Sequence, residues 1–317
     1  MFNYKNIYID DWYSIIGPKE KKDGNLKKYN LGLNDYYFNE KTFEKAEVKM
    51  QKFVLNHFKT EQIDVVCASD LMDQMIVSNL MAEEEDIPFL GVYNACASFA
   101  SGVISIANML QSKGVKNGVY ITSSHNLSAE KQFRFPIEYG AVKPKRSTFT
   151  ATGAVGVKLN NTSGKIRIVS ATLGKVKDSY VKDAFNMGAV MAISAIDTFK
   201  EHLKNTHKTE KDYDLILTGD LGACGSKIFK KILESEGYNL KNYMDAGENF
   251  YKEIDCSGAS GPAALPLFLF NNIIYNKKYK KILLLATGSL HSPLLVNQKM
   301  SIPSVTHALE IEVEKWP

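Results

Sequence analysis

Apolar positions along this 317-residue chain fall into two kinds of run that alternate from end to end. Residues 63–68 form a continuous, largely β-branched run, the pattern of a parallel strand buried on both faces. Residues 89–93, 118–122, 213–218 and 282–287 read as further strands of this kind. Between them, 41–58 carries Phe43, Ala46, Val48, Met50, Phe53 and Val54 close to helical spacing. Residues 75–82, 97–110, 188–203, 227–235 and 258–275 read as further helices, and strands at 6–16, 148–159, 166–176, 249–254 and 305–313 complete the alternation. Two segments interrupt it. Residues 17–24 read as a solvated polar loop, with Lys19, Lys21 and Lys22 mixed with Glu20 and Asp23. Residues 124–147 read as long and irregular, with Lys131, Arg134, Lys143, Lys145 and Arg146 against Glu130 and Glu138. That local positive excess suits either an anion entrance or a plain solvated loop.

The second half of the chain repeats the plan of the first. Asp64, Asp70 and Leu71 recur as Asp214, Asp220 and Leu221 at a constant offset, Cys96 recurs as Cys256, and Ser101-Gly102 is answered by Ser260-Gly261. Thr122 and His125 are answered by Thr287 and His291. The expected architecture is α/β: one duplicated βαβαβαββ unit, with halves at 1–160 and 161–317 in a layered αβαβα arrangement. Sheets built this way are covered on both faces and take ligands near the C-terminal ends of their strands.

The stretch Gly91-Val-Tyr-Asn-Ala-Cys96-Ala-Ser-Phe-Ala-Ser-Gly102 carries the most pointed chemistry. A strand hands over sharply to a small-residue helix at Asn94-Ala95-Cys96. Unpaired amides and the positive end of the helix dipole favour negative charge there. The placement suits an activated thiolate or a bound anion.

Composition narrows this little. The chain is 44% hydrophobic and 23% charged, ordinary for a folded domain, and its net charge of +4 gives no reason to expect nucleic acid. Cys67, Cys96, Cys224 and Cys256 are widely spaced, without a CxxC pair or a zinc-like cluster, which points to reduced thiols and a cytoplasmic-type compartment. No run approaches the roughly 18 apolar residues of a membrane span, and the start lacks a signal-like apolar core, so a soluble protein is expected. His57, His202 and His207 read as solvated.

A duplicated unit with a cysteine at the start of the third helix resembles the thiolase superfamily, which includes the ketoacyl synthases. Longer strings resemble the stage V sporulation protein AD family: Gly17-Pro-Lys-Glu-Lys, Thr122-Ser-Ser-His-Asn126, Ala129-Glu-Lys-Gln-Phe-Arg-Phe-Pro136 and Glu138-Tyr-Gly140 in the first half. In the second they are Gly174-Lys-Val176, Tyr213-Asp-Leu-Ile-Leu-Thr-Gly-Asp-Leu221, Ala286-Thr-Gly288 and Gln298-Lys299. That resemblance implies a thiolase-like sporulation protein that binds dipicolinic acid (pyridine-2,6-dicarboxylate). It further implies work at the cytoplasmic face of the spore inner membrane with membrane-embedded stage V sporulation proteins, moving the compound into the developing spore. No cofactor is implied, calcium is a candidate companion of the ligand, and a homodimer is a family-level expectation. No loop of EF-hand type appears, so no built-in metal site is expected.

The chemistry of a condensing relative needs partners for the thiol. Where ketoacyl synthase III relatives carry a His-Gln-Ala-type motif, this chain has Gly219-Asp220-Leu221, and in place of a Gly-Asn-Thr-Ser-type turn it has Asp255-Cys256-Ser-Gly-Ala-Ser260. An aspartate near Cys96 would repel an oxyanion and raise the thiol pKa. The expectation is a non-catalytic binder, with a ketoacyl synthase III-like enzyme using Cys96 as nucleophile as the alternative and a scaffold with a vestigial pocket as a third reading. Asp70 and Asp220 suit either turn-fixing or a bridging cation. For a dicarboxylate, two helix starts should converge: Cys96 and Ser98 on one, Cys256, Ser257 and Gly258 on the other. His125 and His291 lie at strand ends, Arg134 offers a planar fork for a carboxylate, and Phe133 and Phe135 are candidates to stack on the ring.

Overall fold

The computed structural model describes residues 1–133, 143–253 and 255–317. The first series of elements is β1 (Phe2–Ile16), α1 (Pro18–Asp23), β2 (Leu31–Gly32), α2 (Phe43–Phe58), β3 (Val65–Ser69), α3 (Ile76–Ala82), β4 (Phe89–Gly91), α4 (Ser98–Gln111), β5 (Asn117–Ser124), α5 (Asn126–Phe133), β6 (Phe149–Thr150) and β7 (Gly153–Asn160). The second is β8 (Ile166–Thr172), β9 (Lys177–Asp178), α6 (Met187–Thr206), β10 (Leu215–Thr218), α7 (Gly222–Ser235), β11 (Tyr243–Asp245), α8 (Ala246–Asn249), β12 (Ala259–Ser260), α9 (Ala264–Asn271), β13 (Lys281–Ser289), α10 (Pro293–Asn297) and β14 (Pro303–Val313).

Hydrogen bonding gives the main sheet the order β11-β10-β13-β14-β8-β1-β7-β5-β3-β4, with β2 beside β1 and β9 beside β14, which is the same series read outward from a central seam. At that seam the start of β1 pairs antiparallel with β8, while the rest of β1 pairs with β7. Within each wing three strands run parallel, and the fourth returns antiparallel.

Side-chain alternation explains the layers. On β13, Ile282, Leu284 and Ala286 face a central core, and Leu283 and Leu285 face an outer one beneath α6 and α7. On β5, Tyr120 faces the centre, while Val119 and Ile121 face an outer core with α2. The small residues and Phe99 of α4, with the apolar α9, fill the central core between the wings. The order α2, sheet, α4 and α9, sheet, α6 is the αβαβα layering of a thiolase-like fold. Strands buried on both faces read as continuous apolar runs for this reason.

Several expectations are corrected. The segment 17–24 holds the helix α1 between Gly17 and Gly24, started by Pro18, and Glu20 is buried, accepting from Tyr251 Oη at 2.6 Å. Burial lifts that carboxyl to about 7. The irregular segment 124–147 begins with α5. The strand expected at 249–254 is instead β11, because Asp245 caps α8, accepting from the Glu248 amide at 2.8 Å. His202 is fully buried, since α6 lays that face on β8 and β14, and it hydrogen-bonds Thr172 Oγ1 at 2.9 Å. Asp64 and Asp214 do equivalent work in the two wings, each accepting from the two amides that begin the next strand: Lys116 and Asn117, or Lys280 and Lys281. The ladder registers then equate Ser123, not Thr122, with Thr287. Among the described residues no helix is long and apolar enough to cross a membrane.

Candidate functional site

Cys96 sits in a tight elbow between β4 and α4. Ala95 just before it has φ of 49°, a left-handed conformation that a side-chain-bearing residue adopts only when its surroundings hold it there. Ser98 supplies part of that hold: its Oγ donates to the Ala95 carbonyl at 2.7 Å and accepts from the Asn94 amide at 2.9 Å. Asn94 Nδ2 donates to Ser101 Oγ at 2.8 Å. His307 packs behind Asn94; burial pulls its pKa down to about 4, and its Nδ1 accepts from the Gly174 amide.

The elbow opens on a cavity of about 70 Å³ at the C-terminal ends of the parallel strands. Cys96 forms one side. Asp220, just beyond β10, forms the facing side, with Phe133 of α5 and His291 beyond β13 nearby, their rings 5.6 Å apart. A two-stranded ladder of β6 and β12 adds Thr150 and Ser260 to the wall.

Asp220 is the electrostatic centre of this arrangement. Thr287 Oγ1 donates to its Oδ1 at 2.7 Å, the Gly261 amide donates to Oδ2 at 3.2 Å, and the Cys96 thiol lies in the same cavity beside the carboxyl. Burial pushes Asp220 up to about 7. The thiol is driven well above its ordinary range by burial first and by the neighbouring Asp220 charge second. The amides of Gly261 and of Cys96 itself oppose this with a smaller effect. The result is a protonated thiol, the reverse of an activated nucleophile.

The candidate residues divide sharply. Cys96 and His291 line the cavity together. Ser98 lies buried beneath it, engaged within the elbow. His125 lies elsewhere, its Nε2 bonded to the Tyr36 carbonyl at 2.8 Å and its Nδ1 accepting from the Leu127 amide. Arg134 and Phe135 lie outside the described residues.

The second helix start does not exist where the repeat suggested. α9 begins at Ala264, and residues 256–261 form an extended turn before it. Gly258 (φ 137°) and Gly261 (φ 109°) make that turn in conformations only glycine adopts freely, and a Cβ on Gly258 would lie 2.4 Å from the Gly247 carbonyl oxygen. Ser257 serves α7 instead: its carbonyl accepts from the Ala223 amide and its Oγ from the Cys224 amide. Cys256 faces a separate cleft with Lys19, Lys143 and Phe149.

Sequence reasoning missed Thr150, Met187 and Met191 as lining residues. The two methionines, four apart at the start of α6, carried a signal, since that spacing puts both on one helix face. The Gly261 amide carried none.

A family model described as Stage V sporulation protein AD matches residues 2–312. The Stage V sporulation protein AD of Bacillus subtilis (strain 168) is 36% identical over 319 aligned residues, covering 96% of this chain and 94% of that one. Among solved structures, an OleA variant of Xanthomonas campestris gives a TM-score of 0.61 at 13% identity, covering 98% of this chain and 100% of its own. The 3-oxoacyl-(acyl carrier protein) synthase III of Xanthomonas oryzae gives 0.58 at 14%, with the same coverage. At such identities these two speak for the fold alone.

Proposed function

The chain belongs to the stage V sporulation protein AD family, and hence to sporulation, and on that premise we propose that it is a non-catalytic binder of dipicolinic acid that holds its ligand in the cavity beside Cys96. In this reading it takes part in moving the compound into the developing spore, beside membrane-embedded stage V sporulation proteins at the cytoplasmic face of the spore inner membrane.

The observation that carries the non-catalytic part is the placement of the buried Asp220 carboxyl against the Cys96 thiol in one cavity. A condensing enzyme needs a thiolate and donors for a developing oxyanion. Here burial, with the Asp220 charge second, holds the thiol protonated, and the ionised carboxylate would also repel the oxyanion. What remains suits recognition: an aromatic face from Phe133, hydroxyls from Thr150 and Ser260, and the His291 ring around a small cavity. Titration calorimetry of the purified protein with dipicolinic acid should give a saturable heat. A folded protein that gives no heat and no saturation removes the proposal.

The strained elbow favours one second reading, an acyl-thioester condensing enzyme with Cys96 as nucleophile. Incubation with acyl thioesters followed by mass spectrometry decides it: an adduct on Cys96 supports the enzyme, and an unmodified thiol supports the binder.

A further inference from the structure

The cavity wall sets a charge problem for dipicolinic acid, and any solution to that problem rests on dipicolinic acid being the ligand. A dicarboxylate brings two negative charges toward Asp220, a carboxyl only 1% exposed and so poorly screened by water. The other ionisable groups around it come from four elements. The Cys96 thiol faces it from the elbow, where Tyr93 also lines the cavity, Asp245 repels it from the end of β11, and Glu130 of α5 and His291 beyond β13 share its cavity. Glu130 is already paired with Lys143 at 2.6 Å.

Two agents remove a conflict between neighbouring carboxylates: a cation between them or a proton on one. Among the described residues no group of three or more His, Cys, Asp or Glu is arranged to hold a metal ion. A proton needs no such cage. It also turns the repelling group into a donor, which is what a carboxylate ligand requires.

We propose that Asp220 is a recognition residue that acts in its protonated form, donating from its carboxyl to a ligand carboxylate while Thr287 and Gly261 fix its orientation. Each dianion bound at pH 8 and above then takes up about one proton from solvent. Burial, which pushes Asp220 up to about 7, puts this proton within reach near neutrality. Ionised Asp220 excludes the dianion, and protonated Asp220 admits it.

The test is calorimetry with dipicolinic acid in calcium-free solution at pH 8, in two buffers of different ionisation enthalpy. The wild-type protein should take up about one proton per ligand, and its affinity should fall about tenfold per pH unit above 7 while the ligand stays fully ionised. Asp220→Asn should bind without proton uptake and with a flat pH profile. Saturable binding without proton uptake, or binding that appears only with added calcium, overturns the inference and leaves the ligand reading standing. Proton uptake that persists in Asp220→Asn assigns the proton to His291 or another group and overturns it equally. Absence of binding at both pH 6 and pH 8 removes the ligand reading, and this inference with it.

Discussion

Two aspartates at the same point of the two wings, Asp70 after β3 and Asp220 after β10, are put to different uses. Asp70 fixes its own turn: it accepts from the Met72 amide at 2.8 Å, the Ser78 amide at 2.8 Å and Ser78 Oγ at 2.6 Å. In the second wing Asp245 does that work, accepting from the Leu221 and Gly222 amides and from Thr218 Oγ1. The ladder registers set Asp245 opposite Thr218 and Gly91 opposite Ala68, so Asp245 occupies the position that Gly91 holds in the first wing. A carboxylate on the neighbouring strand takes over the turn, and Asp220 is left to face Cys96. A duplicated residue changes its role when a neighbour relieves it of the original one.

The comparison breaks most visibly at Asp245. Asp245→Ala leaves the two buried amides of Leu221 and Gly222, the half-buried Glu248 amide and the Thr218 hydroxyl without their acceptor and should cost on the order of 3–4 kcal/mol in denaturant unfolding. A cost under about 1 kcal/mol would mean that Asp245 does not hold the turn. Asp70→Ala should follow at about 2–3 kcal/mol, since two amides and one hydroxyl lose their acceptor.

Asp220→Asn should be the mildest in stability and should differ in sign with pH. The native state holds the Asp220 proton up to about 7, above the ordinary 3.8, so it binds a proton that the unfolded chain has already lost. That stability is fully present below pH 4 and drains as pH rises through 7. The substitution removes this slope: a cost under about 1 kcal/mol at pH 6 should become a gain by pH 8 in paired urea titrations. In the same variant, Cys96 should react faster with iodoacetamide at pH 8, because the carboxylate that opposes its ionisation is gone. An unchanged alkylation rate would break the link between Asp220 and the thiol.

Much of the fold was legible in the chain. The runs at 63–68 and 282–287 read as strands buried on both faces, and β3 and β13 are such strands. The matched Asp64 and Asp214 marked equivalent strand starts correctly, because that hydrogen bond is local to one strand pair. The Cys96–Cys256 match failed. It compared letters, whereas the position equivalent to Cys96 is set by where α9 begins. Glycine geometry at 258 and 261 delays that start to Ala264. His202 and Glu20 misled for a related reason: a polar residue read from its neighbours in sequence looks solvated, but both lie under elements far away in the chain.

By itself the sequence determined the alternation of strands and helices, the duplication and the Cys96 elbow, because steric preference and two-sided burial act over a few residues. Only the tertiary structure decided what the elbow faces. Asp220 lies more than a hundred residues from Cys96, and its carboxyl meets the thiol because the two wings close on α4 and because Asp245 frees it. The charge of a buried group depends on its few nearest partners, and those partners come together from β4, β10, β12 and β13 only when the sheet has folded.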